Sequence, residues 1–193
     1  MKNRNEALAL LKEYTKSDSL IKHGLSVEAA MKWYAEKHFQ LSKSEIEKWG
    51  IVGLLHDFDY EMYPDLTAAD HHPVKGCQIL RDLNYPDDLI EAIMGHADYT
   101  DVPRETPMAK TLYAVDELSG LVFASVLVRP DKSLYTIEAS SVKKKMKDKA
   151  FARGCNRDEI LRGAEELGVD FMEHIKNVID AMRVIAPDLG LAG

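Results

Sequence analysis

The chain's 193 residues suffice for one domain with a sizeable buried core, and no linker-like stretch divides them. With 32 acidic against 25 basic residues the formal charge is −7, which opposes nonspecific association with a nucleic-acid polymer but leaves room for a small anion wherever bound cations reverse the local field. No apolar run approaches the roughly 20 residues that cross a bilayer, and Cys77 and Cys155 form no CxxC pair, so neither a membrane span, a zinc ribbon nor a disulfide framework is indicated. The stretch MKNRNEALALLKEYTKS is broken by Lys12 and Glu13 and carries no small-residue cleavage site, so a cytoplasmic location is expected.

Apolar residues recur at helical spacing along most of the chain, and almost nothing alternates. Ala7, Leu10, Leu11 and Tyr14 mark a first helix; Val27, Ala30, Met31, Tyr34 and His38 mark a second. Ser42, with Glu45 three residues on, reads as a capping box that opens a helix through Trp49, Val52 and Leu55. Residues 58–70 include Pro64 and several polar side chains and read as a loop placed to cover a site. Pro73 starts a helix through Val74, Cys77, Ile79 and Leu80, and Pro86, Asp87 and Asp88 open another that buries Leu89, Ile90, Ile93 and Met94. Pro107 starts a longer one through Leu112, Val115, Leu118 and Val122. From Ser140, SSVKKKMKDKAF reads as a short helix bearing Lys143, Lys144, Lys145, Lys147 and Lys149. The phase of Ile160, Ala164, Leu167, Phe171, Ile175, Val178 and Met182 predicts two closing helices, divided where Gly168 ends one and Asp170 caps the next. The expected architecture is all-α, without internal repeats.

On or beside these helices, in order, stand His23, the doublet His56-Asp57, His72, His96 and Asp116. A lone histidine on a helix is usually structural or solvated. An ordered set with carboxylates is different, because imidazole nitrogen and carboxylate oxygen together suit zinc, iron, manganese or nickel. An aspartate beside a histidine can also turn one oxygen to each of two ions. Asp116, beside an apolar stripe, is costly unless a cation meets it.

In order and in their surrounding phrases, KHGLSVEAAM, LLHDFDY, HPVKG, GHAD and AVDELSG, these residues resemble the HD superfamily of metal-dependent phosphohydrolases. Its ligands correspond to His23, His56, Asp57 and Asp116, and the added histidines of its dinuclear branch to His72 and His96. Two departures narrow the resemblance. Many dinuclear members follow the doublet with Gly-Lys, where this chain has Phe58, Asp59 and Tyr60. The Gly-Tyr-Pro of the cyclic-dinucleotide phosphodiesterases is replaced by Ala97, Asp98, Tyr99 and Thr100, so cyclic di-GMP hydrolysis is not expected.

The resemblance implies a single HD-type helical domain over residues 1–193, a bundle around a metal site, with the ligand region at about 20–124 and a helical extension at about 140–187. It implies two divalent ions per chain (Fe, Mn, Zn, Ni, Co or Mg), with Asp57 bridging between His23, His56 and Asp116 on one side and His72 and His96 on the other. Asp57, Asp59 and Lys75 are the catalytic candidates. The implied activity is hydrolysis of a small phosphate ester, a nucleotide first, by metal-activated water. Two other readings stay open: a mixed-valent di-iron oxygenase of the myo-inositol oxygenase type, and a non-catalytic HD-fold signalling module. The expected partner is a small phosphorylated substrate rather than a nucleic acid or a membrane, with a homo-oligomer left open.

Around the ligands, Glu61 and Asp98 read either as groups that orient water or as solvated carboxylates and helix caps. Lys75 reads as a phosphate grip or a plain surface lysine, and the five lysines as a solvated face or an anion-attracting rim. His71 adjoins His72, and the family's ligand stands immediately before the proline, which selects His72 and leaves His71 as a supporting or substrate-facing group. His38 and His174 match no family phrase and read as structural or solvated.

Overall fold

Side chains that accept the free N–H groups of a first turn set five of the ten α-helix starts in the computed structural model, which describes residues 2–193. Asn3 opens α1 (Arg4–Tyr14) with a capping box: its Oδ1 accepts from the Asn5 and Glu6 N–H groups, and the Glu6 carboxylate accepts from the Asn3 N–H. α2 (Asp18–Trp33) widens into a π-turn over Tyr34–His38. The Ser42 hydroxyl accepts from Glu45 N–H at the head of α3 (Lys43–Leu55). α4 (Val74–Asp82) and α5 (Asp87–Gly95) begin directly after Pro73 and Pro86. Thr106 caps α6 (Pro107–Leu127), whose first residue is the proline. α7 (Ala139–Lys145) is followed by α8 (Arg157–Leu167), capped by Asn156, and by α9 (Phe171–Val184), capped by Asp170. Gly168, at φ +73°, separates α8 from α9, and α10 (Ala186–Leu189) closes the chain. No strand occurs among the described residues, so the fold is all-α.

Three details differ from the sequence reading. α7 stops at Lys145, leaving Lys147 and Lys149 outside it, because the Asp148 carboxylate accepts from the Ala150 and Phe151 N–H groups and offers the backbone a turn instead of helix. The π-turn at Tyr34–His38 and the short α10 were not anticipated by helical periodicity.

α2 and α6 form the middle of the bundle. α2 packs against α3, α6 and α9, while α6 also meets α5 and α8. Val27, Ala30 and Met31 of α2, Leu54 and Leu55 of α3, Leu112 and Leu118 of α6 and Val178 of α9 are fully buried in one core. The α2–α3 contact is backbone to backbone: a Cβ on Gly53 would lie 2.8 Å from the carbonyl carbon and oxygen of Val27. α8 approaches α6 as closely, since a Cβ on Gly163 would lie 2.6 Å from Ala114 Cα. A buried polar link crosses the same layers. The Tyr34 hydroxyl donates to His174 Nδ1 at 2.6 Å, and His174 Nε2 donates to the Ala114 carbonyl at 2.9 Å. Burial holds the His174 imidazole neutral, with its pKa lowered to about 4. Its reading as a structural histidine therefore has a physical basis in satisfied hydrogen bonds. No helix among the described residues is long and apolar enough to cross a membrane.

Candidate metal centre

The close α2–α3 crossing sets His23, one turn before Val27, beside His56 at the end of α3, with the two rings edge to face at 5.0 Å between centroids. Asp116, from the middle of α6, joins them: His23 Nε2 lies 2.9 Å and His56 Nε2 3.3 Å from Asp116 Oδ1, and the two Nε2 atoms are 3.2 Å apart. A second group stands next to the first. His72, just before α4, and His96, at the end of α5, bring their Nε2 atoms to 3.3 Å, and these lie 3.2 and 3.4 Å from Asp57 Oδ1. The other oxygen of Asp57 faces the first group, with Oδ2 3.7 Å from His23 Nε2 and 3.5 Å from His56 Nε2. The six residues expected as ligands thus converge in two adjacent trios, His23–His56–Asp116 and Asp57–His72–His96, with the second oxygen of Asp57 turned toward the first.

The rings are aimed by their other nitrogens. His56 Nδ1 donates to the Gly53 carbonyl at 2.8 Å and His96 Nδ1 to that of Ile93, each a carbonyl in the last turn of its helix. His72 Nδ1 donates to Asp59 Oδ1 at 2.7 Å. In the neutral form, each of these Nε2 atoms presents a lone pair to the centre. Two such lone pairs 3.2–3.3 Å apart repel unless a proton or a cation lies between them. Donors about 2.1 Å from one ion stand about 3.0 Å apart at neighbouring octahedral positions and about 3.4 Å apart at tetrahedral ones. The observed separations fall mainly in that range, so the residues fit divalent cations in both spacing and donor type.

Charge tells the same story. Burial opposes protonation of His56, but Asp57 and Asp116 outweigh it and raise the imidazole pKa to about 10. His72 is raised to about 9 against its own burial by Asp57 and Asp59. Asp57 and Asp116 are held below the usual carboxylate range despite burial, chiefly by His56. A pair of carboxylates that holds positive charge on neighbouring imidazoles holds it equally well on a metal ion.

Asp59 is fully buried and contacts the centre through His72 alone among the six donors: Oδ1 takes the His72 ring N–H, and Oδ2 takes the Gly76 N–H at 2.7 Å. Gly76 leaves room for this, since a Cβ there would lie 2.5 Å from the Asp59 carboxyl carbon. Lys75 is not brought to the centre; its ammonium pairs with Asp70 at 3.2 Å. Glu61 accepts from the Lys16 and Ser17 N–H groups at 2.9 Å and so caps the start of α2. His71 Nδ1 donates to the Ala68 carbonyl, and His38 is exposed.

Five of the six donors, all but the fully buried His56, open onto a cavity of about 400 Å³, whose further walls include Tyr60, Asp98, Tyr99, Glu117, Cys155 and Glu159. None of the five lysines at 143–149 lines it. Asp98 is tied to Arg104 at 3.0 Å and Arg162 at 2.9 Å. Glu117, Cys155 and Glu159 were not singled out in the sequence. Glu117 follows Asp116 directly and was within reach of that reasoning, but Cys155 arrives from the turn before α8 and Glu159 from α8 itself, which no local phrase connects to the ligands. A larger cavity of about 760 Å³, between α1, α2 and α10, touches none of the six donors.

The family model for the HD domain matches residues 20–121, more than half of the chain. No curated protein and no solved structure matches it. The matched span contains His23, His56, Asp57 and Asp116 together with both added histidines, and the chain belongs to the HD domain family.

Proposed function

We propose that this chain is a metal-dependent phosphohydrolase that binds two divalent cations and cleaves a small phosphate ester, a nucleotide being the first candidate. The single observation that carries the reading is the pair of adjacent donor trios, with Asp57 of one turned toward the other, beside one small cavity. His23, His56 and Asp116 would hold one ion, His72 and His96 the other, and Asp57 would give one oxygen to each. Cations held there supply Lewis acidity, which lowers the proton affinity of water and offsets charge building on phosphorus. The chain's own contribution is rigidity. Gly53 O, Ile93 O and Asp59 fix three of the imidazoles, so the donors need little reorganisation when charge shifts. Tyr60 and Tyr99 flank the cavity and would shield the reacting centre, with the Tyr99 hydroxyl anchored on the His72 carbonyl at 2.9 Å.

The test is release of inorganic phosphate, under anaerobic conditions, from nucleoside monophosphates and sugar phosphates by manganese-loaded protein, with metal content measured on the same sample. Two ions per chain and phosphate release are expected. One ion per chain at saturation, unchanged by His72→Ala, would refute the dinuclear arrangement. Silence of the panel with every divalent ion, while iron-loaded protein consumes dioxygen, would replace hydrolysis by the mixed-valent oxygenase chemistry.

A further inference from the structure

One side chain holds the backbone on both sides of His96. α5 ends at Gly95, His96 follows, and the chain then turns through Asp98–Thr100. Arg104 Nη1 donates to the Gly95 carbonyl before His96 and to Asp98 Oδ1 after it, each at 3.0 Å. The other edge of the guanidinium is engaged as well. Nε and Nη2 meet the two oxygens of Glu166 in a fork at 2.8 Å each. The guanidinium carbon also stands 3.6 Å from the centre of the Tyr113 ring, whose hydroxyl donates to Asp98 Oδ2. The Arg104 side chain is only 11% exposed, and it runs so close to Gly95 that a Cβ there would lie 3.3 Å from its Cγ. Glu166 and Arg162, which adds a second tie to Asp98 at 2.9 Å, both belong to α8. That helix lies outside the family-matched span of residues 20–121 and packs on α6 and α9.

We infer that Arg104 is a positioning residue of the metal centre: it fixes the backbone around His96, and Glu166 clamps it there, so that α8 sets the affinity of the Asp57–His72–His96 trio for its cation. The inference rests on the two-cation part of the proposed function and not on the hydrolytic step. His96 must meet an ion with Nε2 while its Nδ1 is tied to the Ile93 carbonyl, so a shift of the backbone at Gly95 or Asp98 carries the ring with it. A guanidinium suits this task, because it is planar and donates in several fixed directions at once. An ammonium cannot make the fork to Glu166 and reach Gly95 and Asp98 together. The other trio stands apart from this latch. Tyr113 lies one turn before Asp116, but the helical hydrogen bonds of α6 themselves place Asp116, and His23 and His56 come from α2 and the end of α3.

Calorimetric titration of the full chain with manganese tests this in Arg104→Lys and in the milder Glu166→Gln. One of the two binding steps is expected to weaken by about tenfold in Arg104→Lys, the lower end of the about 10–100-fold range for partners behind a metal-bound imidazole, because Arg104 acts through backbone. The same step should weaken less in Glu166→Gln. In His72→Ala, where the His23–His56–Asp116 step remains, adding Arg104→Lys should leave that step as it was. A merely structural arginine gives another pattern: lower thermal stability with both steps unchanged, or with both weakened alike, and either result overturns the inference. If Arg104→Lys does not fold, Glu166→Gln decides by the same one-step criterion. Uptake of fewer than two ions by the native chain removes the two-cation reading instead, and the positioning role is then judged on metal-free protein carrying isotope-labelled histidine. There the His96 ring N–H resonance should move in both variants while that of His56 stays in place; an unmoved His96 signal overturns the inference.

Discussion

Asp59→Asn isolates the support of one ligand without touching any donor. The side chain keeps its volume but loses the ability to accept at both ends. In the native chain Oδ1 takes the His72 ring N–H and Oδ2 the Gly76 N–H, both at 2.7 Å, at a position with no solvent exposure. An asparagine can serve one of these donors and must turn its amide N–H₂ toward the other, leaving a buried donor facing a donor. A lost hydrogen bond to a charged acceptor is worth about 1.5–3 kcal/mol, and that sets the expected loss of stability. Removal of the carboxylate behind a metal-binding imidazole typically weakens metal affinity by about 10–100-fold. The effect should be one-sided, because His23, His56 and Asp116 do not contact Asp59. Manganese titrations of the variant should therefore split into a near-native step and a step weakened by about 10–100-fold. Gly76→Ala should approach the same result from the other side, since its Cβ would press on the Asp59 carboxylate. Equal weakening of both steps, or an unchanged isotherm with unchanged thermal stability, would refute the assignment of Asp59 as the residue that orients His72.

Three further outcomes follow from the same geometry. In the apo-protein at pH 7, His56 and His72 carry protons because their pKa values stand near 10 and 9, so metal loading should release approaching two protons per chain, read from the dependence of calorimetric enthalpy on buffer ionisation; no release would contradict the raised values. Gly53→Ala should lower stability by about 1–3 kcal/mol in chemical denaturation despite the better helix propensity of alanine, because its Cβ overlaps the Val27 backbone; a stabilised variant would mean the helices part freely. His174 is neutral in the fold with a pKa of about 4 against 6.5 when unfolded, so stability is kept above pH 6.5 and falls by about 3 kcal/mol as pH drops toward 4; a flat acid limb, identical in His174→Gln, would show that His174 does not titrate in this way.

The helices were legible because the apolar period, the capping residues and the prolines agree with one another. Ser42, Thr106–Pro107, Asn156 and Asp170 each start a helix through a local hydrogen bond or a fixed φ, which neighbouring residues alone decide. α7 was read too long because Lys143–Lys149 is a good helical composition, whereas Asp148 ends the run by capturing backbone N–H groups beyond it. The ligand order was legible as a family pattern, and the geometry brings all six together. Lys75 was the reverse case: its place three residues after His72 suggested the cavity, but the turn of α4 sends it to Asp70. Glu159 was out of reach for a different reason. It enters through the packing of α8 on α6, which depends on Gly163 meeting Ala114, and tertiary contacts of that kind leave no periodic trace around the residue they deliver.

His56 and His96 share a device that explains how the centre can be both buried and preorganised. Each stands just past the last residue of its helix and turns Nδ1–H onto the carbonyl three residues before it. In each case one contact fixes the tautomer and directs the remaining lone pair inward. His72 precedes a helix instead of ending one, so no helix-end carbonyl is at hand, and Asp59 supplies the acceptor from the preceding loop. This difference makes the His72 side dependent on a side chain and the His56 side dependent only on backbone. Substitutions outside the donors should therefore affect the two halves of the centre unequally, with the Asp57–His72–His96 half the more easily disturbed.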